Sequence, residues 1–297
     1  MSFALLLFPD FALILLGYAL RRVMHLGDHF WASLEKLIYF VLFPALLFSA
    51  LTRTHIDFSA AAPLVFTGLL AVASGMALGA ASRPLFGKET HTFAAQFQCA
   101  FRYSTYIGLA VAGTLHGPAG ITAMGLLAGA LVPVVNVASV WMLARHNDAR
   151  VWIELAKNPL ILATAAGIIF NLAGIDLPGP AQAFLGRLSE ASIALGLLAV
   201  GAALRFSAAN GAGPARLYLL AVKLAAVPLV AWLAARHFAL TGINFDIAIA
   251  FGALPTAPSA YILARRMGAD ATGVAWLISA GTLAAMVTLP LWLAAIR

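Results

Sequence analysis

The chain has little charge and almost no cysteine. Only 10% of its 297 residues are charged and 63% are hydrophobic, where an ordinary soluble domain carries about 25% charged residues. A soluble protein this apolar could not cover its own surface. The shortage excludes a soluble enzyme, a disordered tail and a collagen-like fibre. The one cysteine, Cys99, excludes an internal disulfide framework and a Cys-based metal cluster. Also missing are a metal-binding H-E-x-x-H, a nucleophile elbow G-x-S-x-G and a phosphate-cradling G-x-x-x-x-G-K. Transport driven by ATP hydrolysis within this chain is thereby excluded, and no cofactor or metal is expected. The seven histidines (His25, His29, His55, His91, His116, His146 and His237) are read as lying in loops or at helix ends. The acids Asp10, Asp57, Asp176, Glu190 and Asp246 are placed there too, so no carboxylate is expected in the middle of a span.

What the chain has instead is a series of solid apolar runs, each about 20 residues long, the length of a membrane-spanning helix. A β-barrel would alternate apolar and polar residues. Ten spans are predicted, near 3–22, 34–52, 61–82, 92–115, 118–144, 159–175, 188–206, 215–236, 245–266 and 271–294. The first has no basic leader ahead of it and no cleavage site behind it, so it reads as a retained helix. The net charge of +7 fits basic cytoplasmic loops better than nucleic-acid binding. With the N-terminus outside, twelve Lys and Arg fall on the cytoplasmic side and four on the outer side. Both termini are therefore expected to face the periplasm of a bacterial inner membrane.

The longest polar stretch divides the spans five and five. It sets a first repeat at 1–145, a cytoplasmic linker at 146–158 and a second repeat at 159–297. Five is odd, so the two halves must be inverted relative to each other. Turn sequences support an offset near 151, with Gly117 of His116-Gly117-Pro118 matching Gly268 of Met267-Gly268-Ala269. Inverted repeats are a recurring secondary-transporter design, with substrate bound at mid-bilayer between helices broken in corresponding places. Span 9 carries Leu254-Pro255-Thr256-Ala257-Pro258-Ser259, where two prolines interrupt any helix. Subtracting 151 from the stretch Gly252 to Ser259 lands on Phe101-Arg102-Tyr103-Ser104-Thr105-Tyr106-Ile107-Gly108, the most polar stretch inside any span, with an arginine in it.

An arginine at bilayer depth costs roughly 2.5–3.5 kcal/mol on the milder insertion scale. With no acid expected nearby, Arg102 invites an anion from solution, and a carboxylate fits a guanidinium bidentately; the alternative is a structural arginine bonded to helix C-terminal carbonyls or lying in an aqueous vestibule. Tyr103, Ser104, Thr105, Thr256 and Ser259 are the candidate partners of Arg102 in substrate binding. The hydroxyls among them could equally cap the broken helix ends, and the tyrosine could simply pack. Gly108, Pro255 and Pro258 are expected to shape the break. Lys223 reads as a side chain reaching to the cytoplasmic interface. Asn136 and Asn171 read as interhelical hydrogen bonders, and Gln96 or Gln98 as a lining of the path.

The five-plus-five division, FRYSTYIGLA in span 4 and ALPTAPSAYILARRMGAD in span 9 resemble the auxin efflux carrier family, and its bacterial malonate-carrier branch in particular. Ser104 stands where that family commonly has Asn, and Gly108-Leu109-Ala110 replaces its Gly-x-Pro. The resemblance implies an all-α membrane protein in which broken helices 4 and 9 cross. Helices 1, 2, 6 and 7 would form a scaffold and helices 3–5 and 8–10 a transport domain, often in a homodimer. The implied activity is secondary transport of small organic anions, mono- or dicarboxylates such as malonate or auxin-like acids, by alternating access. Coupling to H+ or Na+ stays open. The alternatives are a sodium-coupled bile-acid-type symporter and a non-transporting membrane receptor or assembly subunit.

Overall fold

The computed structural model describes residues 3–53, 58–87, 90–144, 159–205 and 213–295, and among these every regular element is helical. In chain order they are α1 (Phe3–Val23), α2 (Asp28–Leu37), α3 (Phe43–Arg53), α4 (Phe58–Phe86), α5 (Thr90–Phe97), α6 (Thr105–Ala144), α7 (Pro159–Leu172), α8 (Gly179–Ala203), α9 (Pro214–Ala221), α10 (Val227–His237), α11 (Gly242–Ala253), α12 (Ser259–Arg266) and α13 (Ala271–Ala295). Six stretches are long and apolar enough to cross a membrane: Asp28–Thr52, Ala61–Phe86, Thr92–Leu143, Gly179–Ala203, Pro214–His237 and Ala271–Ala295. The third, at 52 residues, would measure ~78 Å if straight, more than twice a hydrocarbon core of about 30 Å. It turns back at Gly117, whose φ of 57° and ψ of −142° break α6 into two arms. The expected linker, 146–158, lies outside the described residues, as do His55 and Asp57.

Proline chemistry explains two irregular turns. α2 runs into α3 through a π-helical turn, Ile38–Leu42, and α9 into α10 through another, Val222–Ala226. Each turn ends two residues before a proline, Pro44 and Pro228. A proline ring clashes with the carbonyl four residues back and offers no N–H to it. Widening the turn relieves the clash, and the carbonyl of Leu224 instead accepts the Trp292 indole N–H at 2.9 Å.

Left-handed residues punctuate the helix ends in a repeating pattern. His25, Gly87 and Gly117 have φ of 52°, 57° and 57°, and Gly174, Ala239 and Gly268 have 63°, 52° and 67°. Taken in order, His25 with Gly174, Gly87 with Ala239 and Gly117 with Gly268, the pairs stand 149, 152 and 151 positions apart. Gly242, also left-handed, has no counterpart in the described part of the first half.

Two packing groups stand out. α1 lies along α8, while α3 packs on both α7 and α8. Asn171 ties α7 to α3 through the Leu51 carbonyl at 2.8 Å. On the other side, α10 packs against α4 and α11, and α11 packs against α6 and α13. The buried core runs between them, with Phe43, Phe101 and Phe251 among its largest fully buried side chains.

Two sequence expectations are corrected by the coordinates. The second span starts at Asp28, ahead of Leu34, because the polar turn after Gly27 is already helical. Asp10 lies inside α1 and is only 9% exposed, accepting a hydrogen bond from the Thr114 hydroxyl at 3.0 Å. That bond lets a carboxylate sit where the apolar pattern alone left no place for one.

The α1–α8 contact is close because two glycines let the backbones touch. A Cβ on Gly17 would strike the Leu198 carbonyl, and one on Gly201 the Ile14 carbonyl. Gly201→Leu is therefore expected to destabilise the protein by about 1–3 kcal/mol or more, the usual cost of overpacking, as read from thermal unfolding of the detergent-purified chain. The same change at Gly27, where no atom would crowd a Cβ, should leave the transition in place.

Candidate functional site

Both predicted interruptions are real, and they meet. α5 tightens into a 3-10 turn at Gln98–Ala100, whose end is marked by the Phe101 and Arg102 N–H groups both donating to the Gln98 carbonyl, at 3.3 and 2.9 Å. Residues 101–104 are not helical. α6 then starts at Thr105, its first turn closed by Gly108 N–H to the Ser104 carbonyl at 2.9 Å. In the second break, Leu254 turns extended (φ −62°, ψ 141°), as a residue before proline prefers. Helix resumes only at Ser259.

The two open segments satisfy each other. Ser104 N–H donates to the Pro255 carbonyl at 2.9 Å. The Thr256 hydroxyl donates to the Cys99 carbonyl at 2.8 Å, and the Gln98 amide donates to the Ala260 carbonyl at 3.2 Å. Two polar pairs tie the outer ends of the crossing. Gln96 donates to Asp270 at 2.7 Å, and Asp270 also accepts the Gly273 N–H at 2.9 Å at the start of α13. At the other end, His116 Nε2 lies 2.9 Å from Asp246.

Arg102 lies at the centre, 7% exposed. One guanidinium nitrogen, Nη2, donates to the Ser259 hydroxyl at 2.9 Å. Its Nε and Nη1 are buried without any hydrogen-bond partner. Tyr39, in the π-helical turn after α2, lies within electrostatic range of it, as do Tyr103 and Cys99. The ion pairs found among the described residues are Arg21–Asp28 and His116–Asp246, so no described carboxylate neutralises Arg102. Its neighbour Ser259 is exposed. Two further buried polar atoms of the crossing, Ser104 Oγ and Gln98 Oε1, lack partners.

The other candidates separate. Tyr103 turns into the core, where its hydroxyl donates to the Ala128 carbonyl at 3.0 Å and its ring lies 4.5 Å from Phe251. Tyr106 is half-buried, with its ring 4.3 Å from Phe43 where α6 packs on α3. Thr105 is half-buried at the start of α6. Thr256 is committed to the Cys99 carbonyl. Pro255 is buried in the second break and Pro258 caps the start of α12. Gly108 is helical and lies one turn past the first break. A Cβ there would stand 2.9 Å from a Leu254 methyl, so its role is close approach of the other segment.

Sequence reading missed Lys223. It does not reach for the interface; it is 3% exposed, and its Nζ lies 3.3 Å from the Gly252 carbonyl. The available signal was Pro228, which widens the turn that carries it. An apolar groove lined by Met76, Pro133, Val134, Val137, Ala138 and Trp141 holds none of the crossing's polar groups.

A helical, multi-spanning membrane protein with two interrupted helices crossing around a buried, unneutralised cation has the architecture of a carrier. Residues 142–293 match the family described as membrane transport protein, and the chain belongs to that family, the auxin efflux carriers. An "Uncharacterized transporter" of Methanothermobacter thermautotrophicus is 27% identical, with 94% of each chain covered. The "Uncharacterized transporter YfdV" of Escherichia coli is 26% identical over 97% of this chain and 95% of its own. The "Putative malonate transporter" of Rhizobium meliloti is 26% identical over 94% of this chain and 97% of its own. Family and relatives are transporters and not enzymes.

Replacing Thr256 by Val keeps the shape and removes the hydrogen bond to the Cys99 carbonyl. The expected loss is about 0.5–1.5 kcal/mol of stability, the net contribution of one hydrogen bond, measured by thermal unfolding against the parent. An unchanged transition would show that the crossing does not depend on this bond.

Proposed function

We propose that the protein carries small organic anions, mono- or dicarboxylates, across the bacterial inner membrane by alternating access, with Arg102 binding the carboxylate. The observation that carries this reading is the pair of buried, unpartnered donors on the Arg102 guanidinium. A buried charge of this kind is strongly unfavourable unless something pairs with it. A carboxylate supplies two acceptors in the geometry that a guanidinium fork prefers. Ser259 holds the fork from its exposed side, and the unpartnered Ser104 hydroxyl adds a neutral donor. The name of the Rhizobium meliloti relative makes malonate the first compound to try.

The fold we infer for this activity is ten crossings in two inverted repeats, 1–145 and 159–297. Three sets of observations support it. The left-handed residues recur at the offset that separates Gly117 from Gly268. The breaks recur at the same spacing. The backbone contact of the crossing joins Ser104 to Pro255, again at that offset, as expected where a pseudo-twofold axis makes a residue meet its own counterpart. On this reading α1, α2, α3, α7 and α8 form the scaffold, and the remaining helices form the moving bundle that carries the crossing. Tyr106 facing Phe43 marks the seam along which the bundles rock.

Reconstitution tests the assignment. Arg102→Ala should lower uptake of malonate into liposomes by about tenfold or more, since hydrogen bonds to charged groups contribute about 1.5–3 kcal/mol. Arg102→Lys should keep only part of the activity, because an ammonium cannot present the fork. Full uptake by Arg102→Ala would sink the site assignment. The orientation has a separate check. Cys99 is buried, so a single cysteine added at either terminus can be labelled selectively, and both should react with an impermeant thiol reagent added to intact spheroplasts.

A further inference from the structure

Lys223 is the second cation buried at the crossing, and the carboxylate site does not use it. It sits in the π-helical turn Val222–Ala226, and neither described ion pair includes it. Its Nζ donates to the carbonyl of Gly252, in the last turn of α11.

The sequence explains why that carbonyl needs an outside donor. In a continuous helix the carbonyls of residues 251 and 252 would accept from the N–H groups of residues 255 and 256. Pro255 has no N–H, and the extended Leu254 carries the chain out of helical register before Thr256 can donate. The Phe251 carbonyl is rescued by Leu254 N–H at 3.3 Å. The Gly252 carbonyl is rescued by Lys223. The half-helix α11 thus ends inside the protein in carbonyls that its own helical ladder does not satisfy, the negative end of its dipole. The matching end of the first crossing helix differs. There the Cys99 carbonyl takes a neutral hydroxyl from Thr256.

In carriers built from broken helices, unwound carbonyls and half-helix C-terminal ends are where a coupling sodium ion is coordinated. Here that end already holds a charge of the same sign and size, attached to the chain. A mobile cation at the Gly252 carbonyl would have to share it with an ammonium 3.3 Å away.

We propose that Lys223 is a resident counter-charge occupying the seat of a coupling cation at the end of α11. The protein then takes up its anion without sodium, and Lys223 acts by holding the broken helix in place and not by touching substrate. The proposal rests on the reading of the crossing as a transport site, but not on the identity of the substrate.

The test is thermal unfolding of the purified full-length chain in detergent, in sodium chloride and in choline chloride at equal ionic strength. The parent protein and Lys223→Arg, which keep the charge, should unfold at the same temperature in both salts. Lys223→Ala and Lys223→Ser, which empty the seat, should unfold about 2 °C or more higher in sodium than in choline. Stabilisation of the parent protein by sodium would overturn the proposal, and so would indifference of both emptied variants. Should the emptied variants be recovered only when purified in sodium, that recovery supports it. If they cannot be recovered in either salt, the parent protein decides: equal unfolding temperatures in the two salts support the proposal, and a higher one in sodium overturns it. The unfolding readout contains no carboxylate, so a failure to transport malonate and a failure of this proposal are separate results.

Discussion

A bilayer core offers no water to a backbone, so each interrupted helix must find protein partners for the groups its break exposes. This constraint governs the crossing. Each segment supplies what the other lacks: Ser104 N–H for the Pro255 carbonyl, and the Thr256 hydroxyl for the Cys99 carbonyl. A hydrogen bond made in folding contributes only about 1 kcal/mol net, but a buried group left unmade costs more. Neither break is stable alone. The crossing therefore behaves as one unit, and Gln96 with Asp270 and His116 with Asp246 extend that unit to its two ends.

The two buried cations divide their tasks by how completely they are engaged. Lys223 donates to a carbonyl that backbone geometry left orphaned, so it belongs to the frame. Arg102 commits one nitrogen to Ser259 and keeps two without partners, which is why the proposed function gives it the anion. A frame that is already satisfied and a centre that is not satisfied are together what a carrier needs. On the proposed reading, the first would keep the site's shape while the bundles move, and the second would give an anion a reason to enter. Asp10 in α1 accepting from Thr114 in α6 links the two packing groups by a bond that has to break if they rock apart.

Composition and length determined that the chain lies in a membrane, because few charges and apolar runs of about 20 residues have no other stable setting. Two prolines in span 9 located one interruption, since proline breaks a helix, and subtracting the repeat offset of 151 carried it to the polar stretch around Arg102 in span 4. The common spacing of the two breaks was legible because turn residues keep their identity where apolar residues do not.

Which side chains meet was not legible. In a soluble helix, periodicity separates a core face from a wet one. In lipid both faces are apolar, so nothing in the pattern told Tyr103, turned into the core, from Tyr106, facing the seam. Nor could it tell that Gly108 serves close approach and not the break itself. Lys223 escaped for a related reason: its partner is a main-chain carbonyl, and an orphaned carbonyl has no letter in a sequence. The sequence by itself settled the setting and the two weak points of the helices. Only the tertiary structure decided which groups at those points are satisfied and which are left waiting. Hydrogen-bond satisfaction depends on backbone placed by contacts between segments far apart in the chain, as Ser104 and Pro255 are.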